Sequence, residues 1–231
     1  MLVYMLSQGI CKHHQIHSGM DYNTPIHYDG EVLPLPCFFG LDDELYHGEW
    51  ALCNSSYSFD SRPPNMWVGP EQSRVTYKDN LCWGMRWEHD KQQFLEAATI
   101  IKMKIQKHIK KDIRLCKIHV NGQTFGQIST FHKDFTQDWV WTFVLFTNME
   151  WNQEWGGEFI CYNDDKYYHY PYVPNRGVLI PSNWQHRGAS PNNSTDKLRT
   201  TIGFSYVQAD KWDELITSLA STSKTKSRFL S

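Results

Sequence analysis

The second half of the chain is a succession of short segments with the composition of β-strands, and this feature limits the possible folds more than any other. Each segment is rich in β-branched and aromatic residues; they read QTFGQISTF, WVWTFVLFTN, GGEFICYN, KYYHYPYV, RGVLIPS and LRTTIGFSYV. Turn-forming residues separate them, at Asn148, 156–157, 163–165, 174–175 and 191–193. Because no helical pattern intervenes, the sequence predicts a mainly β fold, a barrel or a sandwich.

One long helix is predicted ahead of these strands, over residues 88–111. Apolar residues recur there at helical spacing on one face, at Leu95, Ala98, Ile101, Ile105 and Ile109. A strand over residues 113–120 and a tight hairpin turn at Asn121 and Gly122 are predicted to follow. Residues 1–85 are rich in Pro, Gly and aromatic residues, and we expect loops and short strands there.

Length and composition favour one soluble domain. A chain of 231 residues can bury a large core. We expect a single domain, with loops and the supporting helix in residues 1–112, the β core in 113–208, and a helix and tail in 209–231. The net charge of −2 gives no electrostatic footprint for nucleic acid, which is therefore an unfavoured partner. Six scattered cysteines and the lack of a signal-peptide or membrane-spanning pattern predict a cytoplasmic protein.

A histidine and an aspartate stand two positions apart where a strand segment ends, at His132 and Asp134 in STFHKDF. Side chains at i and i+2 of a strand share one face, so both point the same way. His186 follows a later apolar strand and a Pro-containing turn, in RGVLIPSNWQH. Two histidines and one carboxylate with open positions are a preferred site for non-haem Fe(II). The same set also forms hydrolytic zinc sites, so both metals remain open.

Arg199 indicates an anion site on the same fold. Arg199 and Thr201 share one face of the segment LRTTIGF, while Ile202 and Phe204 face the other way and can pack outward. An arginine turned into a β-barrel interior is costly unless it meets an anion. A guanidinium binds a carboxylate bidentately, and Thr201 can add a hydroxyl donor, so the strand predicts a carboxylate site.

Four stretches between residues 114 and 207 carry a resemblance to a known family. GQISTFHKD has a GQ-x4-HxD pattern, TFVLFTNMEWNQEWGGEF has a T-x5-N-x2-W pattern followed by GGE, and RGVLIPSNWQH and LRTTIGF contain the distal histidine and the arginine. In this order and with these gaps, the stretches resemble the Fe(II)/2-oxoglutarate-dependent dioxygenases, and within them the prolyl-4-hydroxylase-like branch.

The resemblance implies a fold, cofactors and a reaction. The fold would be a double-stranded β-helix (jelly-roll) with the long helix packed on its outer face. His132, Asp134 and His186 would hold Fe(II), and Arg199 would bind the distal carboxylate of 2-oxoglutarate, with O2 as co-substrate and ascorbate as an optional addition. The enzyme would hydroxylate a C–H bond of a peptidyl proline or a related small substrate, while 2-oxoglutarate is converted into succinate and CO2.

Two positions depart from the pattern of that branch, since Phe146 and Ser129 stand where tyrosines are common. Neither residue supplies a phenol to the co-substrate. Thr142 and Thr201 are therefore predicted to contact 2-oxoglutarate instead. Thr142 shares a strand face with Phe146, which would let it reach the same pocket.

Other functions on the same residues remain open. A nucleic-acid or small-metabolite oxygenase would use the same fold, but the nucleic-acid branch usually has a further arginine where this chain has Ser205. A zinc-dependent hydrolase would use the same three ligands, and a non-catalytic jelly-roll binding module would be expected to lack part of the ligand set or the anchor. His119 and His169 are interpreted as structural or surface residues.

Overall fold

The structure, a computed structural model, describes residues 24–54, 81–85, 91–127 and 129–219. Its helices are α1 (Leu35–His47), α2 (Gln92–Ile109) and a helical segment over residues 212–219. Its strands are β1 (Ile26–Tyr28), β2 (Trp50–Asn54), β3 (Leu81–Met85), β4 (Ile113–Gln123), β5 (Val140–Phe146), β6 (Phe159–Asn163), β7 (Lys166–Tyr170), β8 (Gly177–Pro181), β9 (Gln185–Gly188) and β10 (Arg199–Gln208). None of the helices in these ranges is long and apolar enough to cross a membrane.

The described strands form two antiparallel sheets. The larger sheet has seven strands in the order β1-β8-β5-β10-β4-β3-β2, and the smaller has three in the order β7-β6-β9. Five of the eight neighbouring strand pairs join strands that are not consecutive in sequence, and the last strand, β10, pairs with both β4 and β5. This connectivity is that of a jelly roll, and the fold class predicted from the sequence is confirmed.

Helix α2 packs on the outer face of the larger sheet, as predicted. Its residues Ala98, Ile101 and Ile105 are buried in one hydrophobic cluster with outward-facing side chains of β4, β5 and β10. Each of the two isoleucine side chains contributes roughly 1.5–3 kcal/mol when fully buried. Leu95, predicted on the buried face, is instead 42% exposed, because Phe94 is the residue that continues the helical spacing of that face.

Helix α1 lies where the sequence analysis predicts loops and short strands, and that prediction is wrong for residues 35–47. Pro36 stands in the first turn, where its missing N–H needs no partner. Phe38, Leu41 and Leu45 follow at helical spacing and are buried in the same cluster as α2.

Strand β4 continues through Asn121 and Gly122, and the hairpin turn predicted there is wrong. Both residues pair with β10, Asn121 with Thr201 and Gly122 with Thr200. A Cβ at position 122 would lie 2.9 Å from the ring of Trp50, so this glycine serves close packing within a strand and not a turn.

The inner face of the larger sheet is polar where β4 and β10 meet. Along β10, Ile202 and Phe204 turn outward into the helix-side cluster, whereas Arg199, Thr201 and Gly203 turn inward, as the alternation predicts. The inward residues line a cavity between the two sheets, and this cavity contains the candidate site.

Candidate functional site

His132 and His186 are brought side by side by a short β-bridge between the segment before β5 and strand β9. The His132 amide donates to the His186 carbonyl at 3.1 Å, and the His186 amide donates to the His132 carbonyl at 2.9 Å. The centroids of the two rings lie 4.5 Å apart. Main-chain pairing therefore fixes the separation of the two imidazoles.

Each imidazole is oriented by a backbone carbonyl two residues earlier in the chain. The Nδ1 atom of His132 lies 3.1 Å from the oxygen of Thr130, and that of His186 lies 3.0 Å from the oxygen of Trp184. A carbonyl oxygen can only accept, so in both hydrogen bonds Nδ1 is the donor. The Nε2 lone pairs are then free, which is the arrangement found in metal-binding histidines.

Asp134 completes the group. The group consists of His132, Asp134 and His186. Each offers one potential ligand atom, a ring nitrogen or a carboxylate oxygen, and these three atoms all lie within 4.8 Å of one another. The Asp134 amide donates to the carbonyl of Ser182 at 3.1 Å, which ties this segment to the turn before β9. The structure thus brings together the three residues that the sequence predicts as ligands, in a set that fits Fe(II) with open positions. Their metal binding stays a prediction.

The protonation states of Asp134 and His186 suit metal binding. Burial by itself raises the pKa of Asp134, but His186, His119, Lys117 and His132 together lower it below its usual value, so the carboxylate is ionised. Burial lowers the pKa of His186 to about 4, although Asp134 acts in the opposite direction, so this imidazole is neutral at pH 7. Ionised carboxylates and neutral imidazoles are the forms that ligate metals.

Thr142 contacts Asp134, and its predicted contact with the co-substrate stays a prediction. Its side chain is fully buried, and its hydroxyl donates a hydrogen bond of 2.8 Å to Oδ2 of Asp134. The hydroxyls of Ser182 and Ser205 lie 2.8 and 3.2 Å from the Thr142 oxygen. A buried network of three hydroxyls thus stands behind the carboxylate, where Thr142 orients Asp134.

Replacing Thr142 by valine is expected to weaken metal binding. Valine keeps the branched shape of the side chain but removes the donor to Asp134. Loss of such a supporting contact typically costs roughly 10- to 100-fold in metal affinity. Titration of Fe(II) into the metal-free protein under argon measures the change. Thr201→Val removes a hydroxyl from the same inner face and is the matched control, and an unchanged metal affinity in Thr142→Val would contradict the assignment.

Arg199 lines the cavity, and one of its guanidinium nitrogens has no partner in the part of the chain that the structure describes. The side chain is 2% exposed, and burial lowers its pKa only to about 10, so it remains charged at pH 7. Its Nε donates to the carbonyl of Gly157 at 2.7 Å and its Nη1 to Oε1 of Gln123 at 3.1 Å. Its Nη2 is buried and has no hydrogen-bond partner among the described residues. An unpaired donor on a buried cation is costly, so Nη2 marks a place for an anion.

Two glycines give this guanidinium its room. A Cβ at Gly188 would lie 2.8 Å from both Nη1 of Arg199 and Oε1 of Gln123, and one at Gly157 would lie 3.0 Å from Cδ of Arg199. Gly157 also has a φ of +85°, which residues with a side chain rarely adopt. Glycine is therefore required at both positions for Arg199 to lie against the backbone.

The cavity extends from Arg199 to His132 and His186 and opens to solvent. Thr201 lines the cavity on the same strand face as Arg199, where the sequence places it. Its contact with a co-substrate stays a prediction.

Tyr172 supports Arg199 and is not predicted by the sequence analysis. Its ring lies 5.0 Å from the guanidinium carbon and 4.9 Å, between centroids, from the ring of Phe146. Its hydroxyl accepts hydrogen bonds of 3.0 Å from the amides of Thr147 and Asn148, which fixes the end of β5. Tyr172 comes from the loop after β7, and no spacing in the sequence connects it with Arg199.

His119 lines the same cavity, in a row with Asn121 and Gln123 on the inner face of β4. The sequence analysis interprets His119 as structural or surface, and its place in the cavity wall is compatible with a structural role. Its Nδ1 atom is buried and lacks a hydrogen-bond partner within the part of the chain that the structure describes. Burial lowers the pKa of His119 to about 3, so the ring is neutral at pH 7. His169, by contrast, is exposed on β7.

Comparison with solved structures finds the same fold in known proteins. An oxidoreductase of the 2OG-Fe(II) oxygenase family from Burkholderia pseudomallei has a TM-score of 0.57 at 7% identity, over 79% of this chain and 84% of that one. The non-heme alpha ketoglutarate dependent epimerase SnoN from nogalamycin biosynthesis has a TM-score of 0.56 at 14% sequence identity, over 80% of this chain and 78% of that one. HygX from Streptomyces hygroscopicus, with nickel and 2-oxoglutarate bound, has a TM-score of 0.53 at 9% sequence identity, over 80% of this chain and 82% of that one.

No protein-family model matches the sequence, and neither does any curated protein. At these low identities, the likeness to solved structures establishes the fold alone. The chain has the fold of the 2OG-Fe(II) oxygenases. The comparison therefore confirms, for the fold, the family resemblance that the motifs carry.

Proposed function

We propose that this protein is an Fe(II)- and 2-oxoglutarate-dependent dioxygenase. The observation that carries the proposal is that one cavity is lined both by His132 and His186, of the potential ligand group, and by Arg199 with its unpartnered nitrogen. A zinc hydrolase would need the ligand group but has no evident use for a buried cation at the far end of the cavity. A 2-oxoglutarate enzyme needs both, because this co-substrate has a metal-binding end and a distal carboxylate.

His132, Asp134 and His186 would hold Fe(II). Bound iron would supply the redox chemistry that couples O2 to the co-substrate. Nη2 of Arg199 would donate to the distal carboxylate, and Thr201 would add a hydroxyl donor from the same strand face. In the balanced reaction, 2-oxoglutarate, O2 and a substrate C–H bond give succinate, CO2 and a C–OH group.

The contribution of the protein is a fixed geometry. The Nε and Nη1 donors of Arg199 are occupied by Gly157 and Gln123, so the guanidinium is held in one orientation. The bonds from Thr142 to Asp134 and from the imidazoles to backbone carbonyls hold the ligand side chains in the same way. Preorganised partners of this kind need little rearrangement when a charged co-substrate enters.

The fold neighbours support the pairing of metal and co-substrate but leave the substrate open. HygX is a protein of this fold with nickel and 2-oxoglutarate bound together. SnoN, also of this fold, is an epimerase, so the fold does not determine the product of the oxidation. From the order of the motifs, we propose hydroxylation of a peptidyl proline or a related small substrate as the finer function, with ascorbate as an optional addition.

A panel of candidate substrates tests this finer assignment. Proline-containing peptides, free amino acids and an alkylated oligonucleotide are each incubated with the iron-loaded protein, 2-oxoglutarate and air, and succinate is quantified. We expect proline peptides to raise succinate release above the substrate-free rate and to gain one oxygen atom by mass spectrometry. The oligonucleotide is expected to have no effect, in keeping with the net charge of −2. If only free amino acids or only the oligonucleotide raise succinate release, that class of substrate would replace the proposed prolyl substrate.

A further inference from the structure

One wall of the cavity is a ladder of cross-strand pairs between β4 and β10. Gln123 faces Arg199, and His119 faces Gly203 further along the same two strands. Arg199 and Gly203 are four residues apart, which corresponds to roughly 13 Å of strand. The ladder therefore leads from the buried arginine towards His132 and His186, which line the same cavity as His119.

Gly203 creates the space that His119 occupies. A Cβ built at position 203 would overlap the imidazole ring of His119, far inside van der Waals contact with its Cε1 atom. The ring therefore lies close against the backbone of β10, in space that a side chain at position 203 would occupy. A glycine inside a strand commonly marks such a close approach.

His119 is not part of the potential ligand group, which within the described residues consists of His132, Asp134 and His186. Among the described residues, its Nδ1 atom nevertheless has no hydrogen-bond partner although it is buried, and the same holds for Nη2 of Arg199 on the same wall. A neutral imidazole has one N–H donor and one acceptor nitrogen. Two unsatisfied polar atoms on one cavity wall indicate a ligand with polar groups at both of its ends.

We infer that His119 donates a hydrogen bond to the metal-side carboxylate of bound 2-oxoglutarate, opposite the end held by Arg199. The inference rests on the proposed function and adds a residue that sets co-substrate affinity. Gly203 acts indirectly, because it leaves room for the ring.

The test is the dissociation constant of 2-oxoglutarate for the anaerobic Fe(II) complex, followed through its visible absorption band. His119→Leu fills the space but removes the donor, and we expect it to weaken binding roughly ten-fold or more, as for other lost bonds to a charged group. His119→Gln retains a donor and is expected to recover part of the loss. Fe(II) affinity should stay unchanged in both. His169→Leu, on the exposed face of β7, is the matched control.

A double-mutant cycle between His119 and Gly203 shows whether Gly203→Ala acts through the His119 ring or through a general loss of structure. Gly203→Ala should weaken 2-oxoglutarate binding in the wild-type background, because the added methyl group displaces the ring. In a His119→Ala background the space is free, and the same substitution should add little. Equal penalties in the two backgrounds would overturn the role given to Gly203 and with it the placement of His119.

The outcomes also distinguish this inference from the proposed function. If wild-type protein binds 2-oxoglutarate and His119→Leu binds it equally well, the role of His119 is overturned and the proposed function stands. If His119→Leu and His119→Gln lose Fe(II) affinity and thermal stability to the same extent, His119 is structural and the inference fails. If the wild-type Fe(II) complex does not bind 2-oxoglutarate, the proposed function fails first.

Discussion

Replacing Arg199 by alanine is expected to weaken 2-oxoglutarate binding by roughly thirty-fold or more, because a charge-assisted hydrogen bond lost from a buried site costs on the order of 2–5 kcal/mol. The affinity for Fe(II) should not change. The hydrogen bonds of Arg199 go to Gly157 and Gln123, and among the described residues none goes to the three predicted ligands. Arg199→Lys should recover only part of the affinity, since lysine restores the charge but not the planar fork.

Titration of 2-oxoglutarate into the anaerobic Fe(II) complex of each variant measures this effect. Arg114→Ala is the matched control, because Arg114 is an exposed arginine on β4 whose guanidinium carbon lies 4.1 Å from the ring centroid of Trp212. Thermal unfolding of the metal-free variants shows whether the fold is intact. If Arg199→Ala binds 2-oxoglutarate as tightly as the wild type, Arg199 is not the anchor.

Alanine at His132, Asp134 or His186 is expected to abolish turnover. Each substitution removes one of the three proposed ligands, so the remaining two would hold the metal less tightly. The same variants should lose the stabilisation that a bound metal gives to the folded state. That stabilisation is about 2.7 kcal/mol when the free metal concentration is 100 times its dissociation constant.

The measurement is the midpoint of thermal unfolding with and without Fe(II) under argon, together with succinate formation in air. Wild-type protein should show a metal-dependent rise in the midpoint, and the three variants should not. Asp138→Ala and His169→Ala change exposed residues of the same types outside the group and should behave as the wild type. Full activity in any one of the three ligand variants would remove the iron assignment.

Much of the β core could be predicted because strand alternation is a local property. The inward turn of Arg199 and Thr201 and the outward turn of Ile202 and Phe204 follow from a period of two along one strand. Helix α1 was not predicted because its prolines and glycine were interpreted as loop residues, while its buried face has only three residues. The dipeptide Asn121-Gly122 has the composition of a turn, but packing against Trp50 and pairing with β10 keep it within a strand.

The candidate site was predictable where residues are close in sequence or belong to a motif. His132 and Asp134 share a face because they are two apart. His119, in contrast, becomes part of the cavity only through its register opposite Gly203, and local sequence does not encode the register between distant strands. For Thr142, alternation predicts an inward direction, but its contact with Asp134 depends on how the segment before β5 folds back over the sheet.

The most direct test of the central claim is the conversion of 2-oxoglutarate into succinate by the purified protein in air, without added substrate, in the presence of Fe(II) or of Zn(II). Dioxygenases of this kind commonly turn over slowly without substrate. We therefore expect succinate with iron, none with zinc, and none with iron in His132→Ala. Hydrolysis of ester or amide substrates with zinc, and no succinate with iron, would contradict the assignment of this protein as a 2-oxoglutarate-dependent dioxygenase.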